Sequence, residues 1–190
     1  MLIDRKVEQL HTDLVGLDNA GAVRTALQHL HEQGFRDVLM VSEPVDGTSS
    51  RLERVASFTA QLAHYPALRG AVIETGPALF SRVQTFLKTP ACGPKALFCA
   101  NGVAALACTQ VLRALNCNLF EEVGVIALDD LEWYPLVGSG ITALAQPTQQ
   151  IGASAFECLF KRLSGDKSAP RALDFAAQLI VRGSTQPPAA

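Results

Sequence analysis

Apolar positions along the chain follow two periods in turn. Short continuous runs, Val38-Leu39-Met40-Val41, Ala71-Val72-Ile73, Ala96-Leu97-Phe98-Cys99 and Val123 through Leu128, mark strands buried on both faces of a parallel sheet. Helical spacing fills the gaps. Val23, Ala26, Leu27 and Leu30 follow the i, i+3, i+4, i+7 pattern of a helix capped by Asp18 or Asn19, running to about Gln33 and stopped by Gly34. Further helices are predicted at about 50–63, 77–88, 102–115 and 148–163, the last with Ile151, Ala155, Cys158 and Leu159 on one face. Residues 2–4 and 14–17 read as two strands with no helix between them, the end of one sheet and a crossover into another. Strands at 141–145 and about 173–182 complete the set, and the Pro- and Ala-rich tail from Thr185 is expected to fray. Strands separated by helices imply right-handed βαβ units and an α/β, doubly wound parallel sheet.

Composition narrows the class. A chain of 190 residues suits one domain or one and a half small ones, and 48% hydrophobic against 18% charged residues excludes disorder. A net charge of −2 excludes a basic surface that coats nucleic acid. No apolar run approaches a membrane span, and the opening MLIDRKVEQL holds acids and no long apolar core, so neither membrane nor signal peptide is expected. Five cysteines without a CxxC pair point to reduced thiols in a cytoplasm, used as small buried hydrophobes. The four histidines do not cluster with them, and His29 and His31 lie two apart on a helix, so neither metal nor cofactor is expected.

In an open α/β sheet, ligands bind beyond the carboxyl ends of the strands. Those ends carry Asp4, Arg51 and Arg54 after the 38–41 strand, Glu74 with Thr75, Asn101, Asp129 with Asp130, and Gln146. Acids, amides and arginines on one rim suit a polyhydroxylated ligand, because a carboxylate accepts from two hydroxyls and a guanidinium donates to two oxygens. Trp133 would add an apolar wall under a sugar ring, with Tyr134 beside it at the mouth. Each residue taken alone has a plainer reading, as a helix cap, a strand-end acceptor or solvated surface. Catalytic signatures are missing: there is no GxGxxG after the first strand, no GxSxG elbow and no phosphate-binding GxxxxGK[ST], and Gly138-Ser139-Gly140 reads as a turn. An enzyme is therefore not expected.

Six segments, in order, resemble one family. Val15-Gly16-Leu17-Asp18-Asn19-Ala20-Gly21-Ala22 with Gly34-Phe35-Arg36, and Arg54-Val55-Ala56-Ser57-Phe58, are the first two. Ala96 through Asn101 ("FCAN"), Val125 through Asp130, Ile141-Thr142 through Gln146-Pro147 and Ile151-Gly152, and Leu179 through Thr185 are the others. Together they resemble the effector region of LacI/GalR-family transcription regulators along essentially the whole chain. The resemblance implies a periplasmic-binding-protein-like (type I) sensor of two α/β subdomains with a ligand cleft between them. It also implies a homodimer and a repressor that reaches operator DNA through an N-terminal helix-turn-helix not found in these residues. Residues 1–17 would then be a remnant of the N-terminal subdomain and 18–144 the C-terminal, effector-binding subdomain. Residues 145–168 would be a crossover and helix of the N-terminal subdomain, 169–184 a return strand and 185–190 a tail. The family's sugar contacts fall on Asp4, Arg54, Asn101, Asp129 and Gln146. Two positions depart from the family: Gly102 replaces the usual Asp, removing a cap, and Ser57 replaces a Gly. The residues around Glu132-Trp133 and Ala145-Gln146-Pro147-Thr148 resemble the branch that senses gluconate-type sugar acids, for which Arg51 or Arg54 would supply a cation. A stand-alone sugar-binding protein and a sugar-phosphate enzyme are the alternatives.

Overall fold

A computed structural model of the chain describes residues 1–117 and 121–186. Its strands form two sheets. The larger contains β3 (Asp37–Ser42), β4 (Arg69–Glu74), β5 (Lys95–Cys99), β6 (Gly124–Leu128), β7 (Thr142–Ala145) and β9 (Gln178–Ile180), in the order β4-β3-β5-β6-β7-β9. All its pairings are parallel except that of β7 with β9. The smaller sheet runs β1 (Leu2–Ile3), β2 (Leu14–Leu17), β8 (Ala172–Phe175), all parallel. Helices α1 (Asn19–Glu32), α2 (Ser49–Gln61), α3 (Leu79–Lys88) and α4 (Gly102–Ala114) cover the large sheet, and α5 (Thr148–Leu163) packs on β2. This is the mixed, mostly parallel α/β architecture that the alternation of periods predicts.

The period of two along β3 decides which helix covers which face. Leu39 and Val41 join a buried cluster with Val83 of α3 and Cys108 and Leu112 of α4. Val38 and Met40 join Val23, Leu27 and Leu30 of α1 and Phe58 of α2 on the other face. Truncating one such leucine to alanine costs about 2–5 kcal/mol. A third, smaller cluster joins Val15 of β2 to Ile151, Ala155 and Cys158 of α5.

Helix α1 shows how local chemistry fixes an element. Asp18 Oδ1 accepts from Gly21 N at 2.7 Å, closing the amino end. At the other end Gly34 takes φ +84°, Phe35 N donates to Leu30 O at 3.0 Å and Gly34 N to His31 O at 3.1 Å. That pair of bonds forms a Schellman stop, with Phe35 and Leu30 packed in the same cluster.

Two expectations need correction. The single strand at 173–182 is two strands, β8 and β9, divided at Ala176-Ala177 and belonging to different sheets. Residues 2–4 and 14–17 pair side by side as β1 and β2 at the edge of the small sheet, and the chain crosses to the other sheet after Leu17, as expected. Thr185 is not frayed. It lies in the buried turn Gly183–Thr185, where its Oγ1 is 2.7 Å from His29 Nε2 and 2.7 Å from Thr142 Oγ1. The rest of the expected tail, 187–190, lies outside the described residues. Among the cysteines, Cys99, Cys108 and Cys158 are buried as expected, whereas Cys92 is exposed and Cys117 half-buried.

The chain passes between the sheets at three places: residue 18, residues 146–147 and residues 176–177. Asp13 locks the small sheet to its helix. Its carboxylate receives Arg162 Nε at 2.7 Å and Nη2 at 2.8 Å, and the Arg171 amide at 2.8 Å.

Candidate functional site

The sequence-predicted residues stand at the carboxyl ends of β1, β4, β5, β6 and β7, with Arg51 and Arg54 on the first turns of α2 and Trp133 in the segment after β6. Two of them sit in left-handed backbone, Asp4 at φ 62° and Asp129 at φ 73°. Aspartate tolerates this region better than most residues, and such strain concentrates at functional positions.

Arg54 is the centre of the arrangement. It lies one turn before Phe58 on the buried side of α2 and is only 5% exposed. Its Nε donates to Asn19 Oδ1 at 2.6 Å and its Nη1 to Ala100 O at 3.0 Å. Asn19 is free for this task because Asp18 caps α1. The Asn19 amide nitrogen donates in turn to Leu17 O at 3.3 Å and Glu53 Oε2 at 3.2 Å. Burial lowers the Arg54 pKa, and the negative charges of Asp4 and Asp129 oppose that shift. Among the described residues no carboxylate forms an ion pair with Arg54. A buried cation held only by neutral acceptors is uncommon, because buried charges are normally paired.

Asp4 supplies the complementary irregularity. Its Oδ2 accepts from Ser50 Oγ at 3.4 Å, whereas its Oδ1 is buried and meets no donor among the described residues. Gly16 allows the approach, since a Cβ there would stand 3.2 Å from Asp4 Cα.

On the far side of the rim Asp129 Oδ1 accepts from Gln146 Nε2 at 2.5 Å and Oδ2 from the Gly102 amide at 3.3 Å. Asp129, Asp130, Leu131, Ala145, Gln146 and Thr148 line a hollow of about 380 Å³. Asn101 caps α4, its Oδ1 accepting from Ala104 N at 2.9 Å. Gly102 therefore does not cost the helix its cap. A Cβ at Gly102 would meet Leu131 Cδ1 at 2.4 Å, the end of an exposed side chain that can turn aside.

Glu43, half-buried and one residue beyond β3, was not foreseen. Its Oε2 receives both Arg51 Nη2 at 2.6 Å and Asn101 Nδ2 at 2.6 Å. Asn19 and Ser50 are likewise partners that no strand-end signal revealed. Glu74 lines a separate hollow of about 470 Å³ with Thr75, Gly76, Pro77 and Arg82. Its Oε1 accepts from the Val45 amide at 3.2 Å, which anchors the loop holding Glu43.

The aromatic wall is not brought to the hollow at Asp129. Tyr134 is fully buried, donates its hydroxyl to Leu128 O at 3.2 Å and belongs to the core, which corrects its expected place at the mouth. Trp133 packs edge-on against Tyr134, centroids 4.7 Å apart, and joins the same cluster. Loop residues Pro135, Leu136 and Val137 made either placement compatible with the sequence.

Comparison with known proteins bears on the fold and the family. A family model described as a periplasmic binding protein-like domain matches residues 27–185. The HTH-type transcriptional regulator PtxS of Pseudomonas aeruginosa is 58% identical over 187 residues, covering 98% of this chain and 55% of that protein. The HTH-type transcriptional regulator KdgR of Bacillus subtilis is 33% identical over 190 residues, covering 97% of this chain and 56% of that protein. The chain thus spans about half the length of the curated relatives it matches. Among solved structures, a LacI family transcriptional regulator from Mycobacterium smegmatis superposes with a TM-score of 0.83 at 22% identity, over 98% of this chain and 70% of that one. A LacI regulator from Enterococcus faecium, solved with bound ribose, gives a TM-score of 0.79 at 18% identity, over 98% and 70%. The chain belongs to the periplasmic binding protein-like domain family.

Proposed function

We propose that this chain senses a small sugar or sugar acid for a cytoplasmic, homodimeric repressor and catalyses no reaction. The effector lies between the two sheets, and operator DNA is contacted by a helix-turn-helix outside these residues. In this reading residues 1–17 and 145–168 belong to the N-terminal subdomain and 18–144 to the C-terminal one. The observation that carries it is the buried Arg54 guanidinium, which among the described residues has no contacting anion and feels the charge of Asp4, whose Oδ1 has no donor among them. A polyol or a hydroxy acid supplies both missing partners: oxygens for the cation and hydroxyl donors for the carboxylate. Asn101, Asp129 and Gln146 would bind ring hydroxyls. The Gln146–Asp129 bond joins a crossing segment to the large sheet, so an effector that competes for it biases the two arrangements by its difference in affinity for them. Large apolar side chains exposed on α3 and α4, Phe80, Val103 and Leu106, support association with a second copy.

The test is calorimetric titration of the full-length protein with a panel of sugars and sugar acids, repeated with labelled operator DNA present. Saturable binding that changes operator affinity and weakens by roughly a hundredfold in Arg54→Met is the expected result. Turnover of a panel member, or no binding by a folded protein, rejects the reading.

A further inference from the structure

We propose that the outer edge of β4 pairs with the same edge of a second copy, antiparallel about a two-fold axis at Val72, and joins the two large sheets into one. This surface is separate from the effector cleft and from the apolar association face on α3 and α4.

Strand β4 ends the large sheet, and among the described residues its strand neighbour is β3 alone. The Arg69 amide donates inward to Arg36 O and the Thr75 amide to Ser42 O, both at 2.7 Å. Backbone groups alternate sides along a strand. Those of Ala71 and Ile73 therefore also face β3, and those of Gly70, Val72 and Glu74 point away from the sheet.

Proteins usually blunt such edges. The opposite edge of this sheet, β9, is only three residues long. By contrast β4 has six residues, pairs with β3 without a bulge, holds no proline and keeps Gly-Ala-Val-Ile between its terminal charges. Arg69, Gly70 and Ala71 are exposed. Two hollows follow the strand along its length, about 260 Å³ beside Arg69 to Ala71 and about 470 Å³ beside Val72 to Glu74. Phe86 and Thr89 of the α3 segment wall the first and Arg82 the second.

The sequence of the edge fits its own copy. With Val72 opposite Val72, Gly70 stands opposite Glu74, and the outward N–H and C=O groups of Gly70, Val72 and Glu74 are used in both copies. Ala71 then faces Ile73 of the second copy, and no like charges stand opposite each other. Arg69 faces Thr75 of the second copy and keeps its own partner, Asp37 Oδ1, at 2.9 Å. A slip that sets Glu74 against Glu74 would bring like charges together. The wall residues Arg82, Phe86 and Thr89 lie about half a turn around α3 from the exposed Phe80. Both faces can therefore be occupied at once, and two different two-fold interfaces on one chain build a dimer of dimers.

Sedimentation velocity of the full-length protein without DNA, over a wide range of concentration, tests this. The wild type is expected to form tetramers that dissociate to dimers on dilution. Val72→Pro removes an outward N–H, so β4 keeps its bonds to β3 and loses the pairing. Ala71→Lys sets a charge beside Ile73 of the second copy, from an exposed position that lines a hollow. Both variants are expected to stop at the dimer, with tetramer affinity at least about tenfold weaker. In hydrogen exchange, the Gly70 and Glu74 amides should be slow in the wild-type tetramer and fast in Ala71→Lys. If the wild type is instead a dimer that both variants reduce to monomer, the β4 pairing stands and the α3–α4 association fails. A monomeric wild type, or any assembly that persists unchanged in the folded variants, overturns the proposal. An edge that serves a peptide of another protein gives that second result. Should Val72→Pro fail to fold, Ala71→Lys decides.

Discussion

Gly16 and Asp4 approach so closely that a methyl group on Gly16 would stand 3.2 Å from the Asp4 Cα. That spacing is tighter than ordinary van der Waals contact, so Gly16→Ala must push the end of β1 outward by a fraction of an ångström. The fold should survive, at a cost of about 1 kcal/mol. Effector affinity should fall more than stability, because the displaced residue is the one whose Oδ1 has no donor. Calorimetry and a thermal melt on the same preparation separate the two effects.

Arg54→Met is expected to be tolerated better than loss of a buried cation usually is. Among the described residues no carboxylate pairs with Arg54, so its removal strands the acceptors on Asn19 and Ala100, at about 1–3 kcal/mol in a denaturant melt. Binding of an acidic effector should weaken by roughly a hundredfold, the scale of a lost desolvated charge contact.

Asn101→Ala should cost about 1 kcal/mol through the lost cap. That corresponds to roughly 2–4 °C in a domain of this size. It also frees Glu43 from one of its two donors.

Burial holds the His29 pKa below its ordinary 6.5. In the window below 6.5 the unfolded chain binds the proton and the native one does not. The contribution of neutral His29 is therefore present above about pH 6.5 and is lost as pH falls toward the folded value. Melts between pH 5 and 8 should show this slope, and His29→Asn should flatten it.

A second acid limb belongs to Asp13. Its bonds with Arg162 and the Arg171 amide hold the carboxyl well below its ordinary 3.8. Stability from this group is present above 3.8 and is lost as pH falls below it. Asp13→Asn should remove that limb and leave the His29 limb untouched.

Most of the framework was legible because apolar runs and helical spacing report burial directly. The α5 limits, the α1 cap and the Gly34 stop follow from residue types whose roles are local. The Ala176-Ala177 break between β8 and β9 carried no local signal: both alanines suit a strand, and only the position of two separate sheets divides them. The candidate rim was legible where a strand ends on a polar residue, as at Asp4, Asn101 and Asp129. Glu43 was not, since a glutamate in a polar loop looks solvated until Arg51 and Asn101 are seen converging on it. Asn19 looked like an alternative cap. Two adjacent cap-forming residues leave one spare, and here the spare one holds Arg54.

The three passages between the sheets, at residue 18, at 146–147 and at 176–177, are each one or two residues long. With consecutive Cα atoms about 3.8 Å apart, none of them has the slack to let the sheets slide. Any reorientation must therefore be a rotation pivoting near these points, and leverage decides which contacts read it. Gln146 sits in a pivot segment and travels little. Asp4, one residue past the end of β1, lies beside Gly16 and therefore close to the passage at residue 18. An effector that grips Asp4 and Arg54 together would clamp the small sheet to α2 beside that pivot, where little movement is needed to hold one orientation.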